Sequence, residues 1–175
     1  SNHFGYQIKG GFNYNLTTNH NLFANIGYFE RAPDFDAIFL NNDQFINDAA
    51  VNQKILSYEV GYGYRSADLN ANVNLYRTSW LDRTLTQSFS PREDDPDTPI
   101  DERDLVYNAS LLGVNALHQG IEIDFVWQPV RVLEIEGMVS LGDWKWMNDV
   151  DGQAILDENQ DTVDVFDKLY IGGLK

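Results

Sequence analysis

The chain contains no cysteine among its 175 residues, and it has few basic residues. The absence of cysteine excludes a disulfide framework and any metal site built on thiolates. Twelve Lys and Arg stand against 27 Asp and Glu, which gives a formal net charge of −15. Because phosphate binding needs clustered Lys and Arg, we expect no nucleic-acid partner.

Long apolar runs are also absent. No segment reaches the roughly eighteen consecutive apolar residues that a transmembrane helix requires. The first residues do not combine a basic segment with an apolar core, so we expect no signal peptide in this chain. These absences leave a transmembrane β-barrel open, because each of its strands carries only a weak signal.

The chain is rich in alternation between apolar and polar residues, most clearly in Lys54–Leu81. Even positions are apolar in Leu56–Tyr64, whereas odd positions are apolar in Leu69–Leu75. A period of two indicates an extended strand with two unlike faces. Two such strands around the short polar segment Ser66–Asp68 predict a β-hairpin.

Further strands show the same alternation. They are predicted at Phe4–Leu16, Leu22–Tyr28, Ile121–Trp127 and Leu133–Leu141, with a last strand starting near Lys168. The segment Leu105–Leu117 is ambiguous and could begin a strand. Phe4–Leu16 is longer than the usual strand of about five or six residues in globular proteins. It fits a membrane strand of about nine to eleven residues with an extension.

The connections between these strands alternate between short and long. Short turns are predicted at Thr17–Asn21, Ser66–Asp68 and Gln128–Arg131, and long loops at Arg31–Gln53, Ser88–Asp104 and Met147–Asp164. Most acidic residues lie in or beside the long loops. An antiparallel up-and-down meander places all short turns at one end of the sheet, which is typical of outer-membrane barrels. We therefore predict an all-β meander with the apolar face towards lipid and the polar face towards a wet lumen.

Aromatic residues support two belts at the two membrane interfaces. One set lies beside the short turns and comprises Tyr14, Tyr62, Tyr64 and Trp127; the other lies towards the long loops and comprises Tyr6, Tyr28, Tyr58 and Trp144. Such belts are typical of membrane proteins. Trp80 and Trp146 fit neither face of the predicted strands.

Catalytic patterns are lacking. The three histidines, His3, His20 and His118, are scattered, and no nucleophile elbow occurs. The acid pairs Glu122/Asp124 and Glu134/Glu136 could serve as acid and base, but lumen-facing charge is the favoured interpretation. We expect no catalytic residue and no cofactor.

The segment Asp157–Asp161 resembles the start of a calcium loop. Its oxygen-bearing residues follow the expected spacing, but Thr162 and Lys168 occupy the places of the required Gly and Glu. A solvated acidic loop is the favoured interpretation, and we expect no metal site.

Four segments resemble the barrels of TonB-dependent outer-membrane receptors, especially those of Bacteroidetes. They read NYNLTTNHNLFANIGYFERAPDFDAIF, KILSYEVGYGYR, ANVNLYRTSWLDRTL and GVNALHQGIEIDFVWQPVRVLEIEGMVSLGDWKW. The resemblance implies a barrel of about 22 strands with short periplasmic turns, long extracellular loops and a plug. It also implies the outer membrane of a Gram-negative bacterium, contact with outer-membrane lipid, and import of an unknown ligand. The TonB–ExbB–ExbD system would act through the plug domain, which is absent from this chain, and a surface lipoprotein is a candidate partner.

Residues 1–175 are interpreted as one barrel segment of about seven strands. The candidate ligand contacts lie in the extracellular loops and are Asp34, Asp36, Asp94, Asp95, Trp144 and Trp146. The acidic field of these loops favours a cationic, metal-bearing or neutral ligand. The main alternative is a soluble secreted β-sandwich that binds carbohydrate, for which shorter strands and Greek-key connections are expected. A barrel enzyme is a second alternative that lacks candidate residues.

Overall fold

The computed structural model of the chain describes residues 3–39, 46–89, 107–156 and 162–175. Strands account for most of them. The elements are β1 (Tyr6–Asn15), β2 (His20–Arg31), α1 (Phe35–Ile38), β3 (Gln53–Arg65), β4 (Leu69–Phe89), β5 (Tyr107–Val130), β6 (Leu133–Trp146), β7 (Val150–Leu156) and β8 (Thr162–Leu169). In the described ranges, no helix is both long and apolar enough to cross a membrane.

All eight strands belong to one antiparallel sheet. Strands β1 to β5 are neighbours in chain order. The later part of β5 pairs with β6, and Asn108 near its start pairs with Leu156 of β7. Strand β8 pairs with β7, and the chain then returns to β6, where the Trp146 amide donates to the Leu174 carbonyl at 2.9 Å. The predicted up-and-down meander is confirmed.

One prediction about the strands needs correction, and one ambiguous segment proves to begin a strand. Met147–Asp164 is not simply a loop, because it contains β7 and the start of β8, which form a hairpin. The ambiguous segment Leu105–Leu117 overlaps the first half of β5, a strand of 24 residues. At about 3.3 Å per residue β5 is about 80 Å long, far more than a membrane of about 30 Å requires. Strand β5 is therefore longer than a membrane-spanning strand needs to be.

The register gives the sheet two unlike faces, because directly paired residues lie on the same side. We call them the apolar face and the polar face. One row of the apolar face consists of Ala24, Val60, Leu75, Ile121 and Leu141. The neighbouring row of the polar face consists of Phe23, Gly61, Asn74, Glu122 and Ser140. The alternation read from the sequence therefore holds across the five strands β2 to β6.

The apolar face carries large side chains that no second layer covers among the described residues. Ile8 is 68% exposed, Phe12 63% and Leu141 66%. A soluble monomer rarely exposes more than a few hundred Å² of contiguous apolar surface. A β-sandwich would bury this face, so the soluble alternative is not favoured.

Strands β4 and β5 change their mutual register near the long-loop end. Asp82 in β4 and Gly113 in β5 both have positive φ values, 57° and 71°. Asparagine side chains accept hydrogen bonds from backbone amides there. The backbone amide of Asp82 donates to Asn115 Oδ1 at 3.0 Å, and the backbone amide of Asn115 donates to Asn148 Oδ1 at 2.8 Å. Such bulges bend a sheet and re-aim its side chains.

Candidate functional site

Carboxylates on the polar face are held by asparagines on neighbouring strands. Glu59 accepts hydrogen bonds from Asn25 Nδ2 at 2.9 Å and from Asn74 Nδ2 at 2.6 Å. Asp124 accepts one from Asn72 Nδ2 at 2.8 Å. These hydrogen bonds satisfy the Glu59 and Asp124 carboxylates within the polar face.

A group of aromatic side chains lies on the same face, closer to the long loops. We call it the aromatic wall, and it comprises Tyr76, Trp80, His118, Trp144 and Trp146. Trp80 and Trp146 both pair with Ala116, so the two indoles flank a small residue of β5. Tyr76 pairs with Gly120, which in turn pairs with Gly142. The small residues leave room for the rings above them.

Trp144 is the most accessible member of the wall, at 56% exposure. Its ring centroid lies 5.7 Å from that of His118, and its indole Nε1 donates to the Tyr76 hydroxyl at 3.0 Å. A Cβ added to Gly142 would lie 2.8 Å from Trp144 Nε1, and one on Gly120 would lie 2.8 Å from the Tyr76 hydroxyl. The two glycines therefore permit the Tyr76–Trp144 contact.

Arg83 supplies a positive charge behind this wall. Its guanidinium carbon lies 5.0 Å from the Trp80 ring centroid and 5.7 Å from that of Trp146. Both distances fit cation–π interactions. The contacts fix the two half-buried indoles, while His118 links Trp80 to Trp144, with its ring 6.1 Å from that of Trp80.

The wall can offer a ligand the face of an indole together with nearby polar atoms. Aromatic rings contribute a large contact area, and Tyr and Trp add a polar handle. The Tyr76 hydroxyl and the His118 ring nitrogens lie beside the exposed Trp144 ring. This arrangement suits a ligand with a flat or ring-shaped part that also carries hydrogen-bonding groups.

The structure brings two of the candidate ligand contacts together, Trp144 and Trp146. The prediction that Trp144 belongs to the loop-side belt is wrong, because Trp144 pairs with His118 on the polar face. Trp80 and Trp146, which fitted neither face, lie in one row of the polar face. The alternation of each strand alone could not show that these rings meet across β5.

The remaining candidates are spread along the loops. Asp34 precedes α1, and its carboxylate lies 3.4 Å from the Arg31 guanidinium, with both side chains more than half exposed. Asp36 lies within α1. Asp94, Asp95 and the calcium-like segment Asp157–Asp161 fall outside the described residues. Within the described ranges, no group of three or more His, Cys, Asp or Glu could hold a metal ion.

Tyr76, Trp80, His118 and Arg83 were missed as site residues. One signal was present in the sequence: Ala116 and Gly120 interrupt β5 with small residues at every fourth position, between ring-bearing strands. The role of these small residues can be interpreted only when the pairing partners of β5 are known.

The fold and the two faces define a transmembrane β-barrel wall. The family model for the β-barrel of TonB-dependent receptor-like proteins matches residues 2–169. This match covers nearly the whole chain, so the chain belongs to the TonB-dependent receptor β-barrel family. Members are outer-membrane transport receptors of Gram-negative bacteria rather than enzymes. No curated protein and no solved structure matched the chain.

Proposed function

We propose that this chain forms part of the wall of a receptor that imports a ligand across the outer membrane, and that the aromatic wall contacts the ligand. The observation that carries this proposal is the exposed Trp144 ring, held by Tyr76 and beside His118 on the polar face. A wet lumen favours polar side chains, so an exposed indole on this face needs an explanation. Contact with an imported ligand provides one.

The apolar face turns towards lipid and the polar face towards the lumen. Two observations support this orientation. Large apolar side chains such as Ile8 and Leu141 stand exposed on the first face, and the hydrogen-bonded carboxylates of Glu59 and Asp124 lie on the second. The end of the sheet with the long connections, near Trp146, lies on the extracellular side.

The chain is one segment of a wider barrel. Within the described strands, β1 pairs only with β2, and no ladder joins β1 to β8. In lipid each unsatisfied backbone group costs several kcal/mol, so further strands must complete both edges. A barrel of about 22 strands with a plug and coupling to the TonB–ExbB–ExbD system fits this geometry.

The ligand carries a ring and is neutral or cationic. Trp144 offers a stacking surface, and the net charge of −15 disfavours an anion. The loop residues Asp34, Asp36, Asp94 and Asp95 are proposed as further contacts, and a surface lipoprotein as a partner. The likeness to receptors of Bacteroidetes stays a prediction.

The test of ligand contact compares two tryptophans in the full-length receptor. A strain lacking the receptor first identifies a nutrient whose uptake depends on it. Trp144→Ala should then reduce the uptake of this nutrient about tenfold at low concentration, the size of one aromatic stacking contact. Trp127→Ala is the matched control, because Trp127 is 42% exposed but lies on the apolar face. Equal loss in both variants would refute the proposed contact.

The test of orientation uses two adjacent residues of β1. In cells that display the full-length receptor, a water-soluble thiol reagent should label Lys9→Cys and spare Ile8→Cys. Lys9 pairs with Gly27 on the polar face, whereas Ile8 pairs with Tyr28 on the apolar face. Equal labelling of the two cysteines would contradict the barrel orientation.

A further inference from the structure

On β4 to β6 a polar row follows the exposed apolar rows of the apolar face on the long-loop side. Arg77, Gln119 and Asp143 are direct neighbours across β4, β5 and β6. Arg77 Nη1 donates to Gln119 Oε1 at 3.0 Å, and Gln119 Nε2 donates to Asp143 Oδ2 at 3.4 Å. The row below it is wholly apolar, with Leu75, Ile121 and Leu141.

Two lysines join this row at its β6 end. Lys145 follows Asp143 on the same face, and its Nζ lies 3.6 Å from Asp143 Oδ2. Lys175 Nζ lies 3.1 Å from the other carboxylate oxygen, and its side chain is 74% exposed. Two lysines therefore contact one carboxylate, and Gln119 connects Arg77 to the same carboxylate. The group holds three cations and one anion, a local excess of positive charge in a chain of net charge −15.

The position of this group matters as much as its charge. It lies on the face proposed to contact lipid, directly beyond the apolar row of Leu75, Ile121 and Leu141 and at the end away from the short turns. Tyr58, which pairs with Arg77, is 44% exposed, and tyrosines of this kind sit at the level of the headgroups. Cations at this level face the headgroups of the outer leaflet, while the apolar row faces the acyl chains.

We propose that Arg77, Lys145 and Lys175 form a binding site for the phosphate group of a lipid in the outer leaflet. Arg77 supplies a planar fork of donors suited to phosphate oxygens, and the lysines supply mobile charges. Gln119 orients Arg77, and Asp143 holds the two lysines together. This site rests on the proposed orientation of the sheet, but it is separate from the aromatic wall on the opposite face.

The adjoining apolar row distinguishes a lipid from a soluble anion. Leu75 is 55% exposed and Leu141 66% exposed immediately beside the cations. The acyl chains of a phosphorylated lipid would cover these side chains, whereas inorganic phosphate would leave them uncovered. Contact with both the charge and the apolar row therefore favours the lipid.

The experiment uses the full-length receptor purified in a neutral detergent. Native mass spectrometry measures binding of dioleoyl phosphatidic acid, of the phosphate-free dioleoylglycerol, and of inorganic phosphate. The triple variant Arg77→Gln/Lys145→Gln/Lys175→Gln should weaken phosphatidic acid binding about a hundredfold, from about fivefold for each cation at a membrane surface. Dioleoylglycerol binding should stay unchanged.

A matched control variant neutralises three cations that lie outside the proposed site. The variant Lys9→Gln/Arg65→Gln/Arg131→Gln alters the polar face and two turn-side positions, and it should retain the wild-type affinity. Asp143→Asn removes the single anion and should tighten binding about fivefold, an effect that misfolding cannot produce. Equal losses in the two triple variants, or no tightening by Asp143→Asn, would overturn the site.

Two further outcomes separate the alternatives. Competition by inorganic phosphate at an affinity equal to that of phosphatidic acid would identify a free-anion site and overturn the lipid assignment. Uptake that is insensitive to Trp144→Ala, together with lipid binding that follows the charge variants, would refute the proposed ligand contact alone.

Discussion

The two faces of this sheet differ in what surrounds their side chains. On the apolar face side chains such as Val60 stand 53% exposed, with no second protein layer over them in the described ranges. On the polar face the adjacent Glu59 is bound by Asn25 and Asn74 from both neighbouring strands. The surrounding lipid satisfies the first face, whereas the second must satisfy its own polar groups or use water.

Glycines show the same contrast. A Cβ on Gly61, on the polar face, would clash with the Phe23 ring, whereas a Cβ on Gly10, on the apolar face, would have nothing within 4 Å. Rings on the polar face fold over neighbouring glycines and crowd that side. At Gly61 the polar face is therefore packed more closely than the apolar face is at Gly10, although the polar face is the more hydrophilic one.

A charge placed on the apolar face should have the largest effect. Val73 lies within the apolar band and pairs with Tyr62 and Ile123. We expect Val73→Lys to destabilise the full-length receptor in lipid vesicles by about 2–4 kcal/mol, the cost of a cation near the bilayer midplane. Urea unfolding measures this change. Asn72→Lys, one residue away and beside Asp124, is the control, and an equal loss there would contradict the assignment of the faces.

Crowding should give the next largest effect. Gly61→Ala forces the Phe23 ring to move, and overpacking of this kind costs about 1–3 kcal/mol. Gly10→Ala should change the free energy of unfolding by no more than about 0.5 kcal/mol, as expected for a substitution without close neighbours. In a double-mutant cycle with Phe23→Ala the Gly61→Ala cost should shrink, and strict additivity would show that the ring is not its cause.

Removal of a polar-face carboxylate should have a smaller effect. Glu59→Ala leaves the amides of Asn25 and Asn74 without their acceptor, at a cost of about 1–2 kcal/mol after partial replacement by water. Glu134→Ala on exposed β6 provides the control, with a change below about 0.5 kcal/mol. Thermal unfolding in detergent measures both, and a loss for Glu134→Ala as large as for Glu59→Ala would show that net charge is the cause.

The smallest effect is expected at the ion pair that lies beyond the apolar band. Lys54 Nζ is 2.9 Å from Asp82 Oδ2, and both side chains are more than a third exposed. Asp82→Asn keeps a residue that tolerates the positive φ and removes only the charge. The loss should stay below about 1 kcal/mol and disappear in high salt. A salt-independent loss would indicate that the backbone, not the ion pair, is affected.

Much of the fold could be predicted from the sequence because strand alternation is a local property. The period of two in Leu56–Tyr64 and Leu69–Leu75 already assigns each side chain to a face, and short turns such as Ser66–Asp68 identify the partners. Prediction from the sequence failed where β-bulges interrupt the alternation of apolar and polar residues. The bulges at Asp82 and Gly113 shift the phase, so the half of β5 that begins at Tyr107 carried no clear pattern.

The sequence by itself thus determined the all-β meander, the separation of faces and the position of the turns, since each depends on neighbours along the chain. Only the tertiary structure decided which residues meet. Trp80, His118 and Trp144 come from three strands, and their contact depends on register. The same holds for Arg77, Gln119 and Asp143, each of which merely interrupts the apolar pattern of its own strand. Sites of this kind arise between strands, where lateral pairing, and not the order of residues, sets the neighbours.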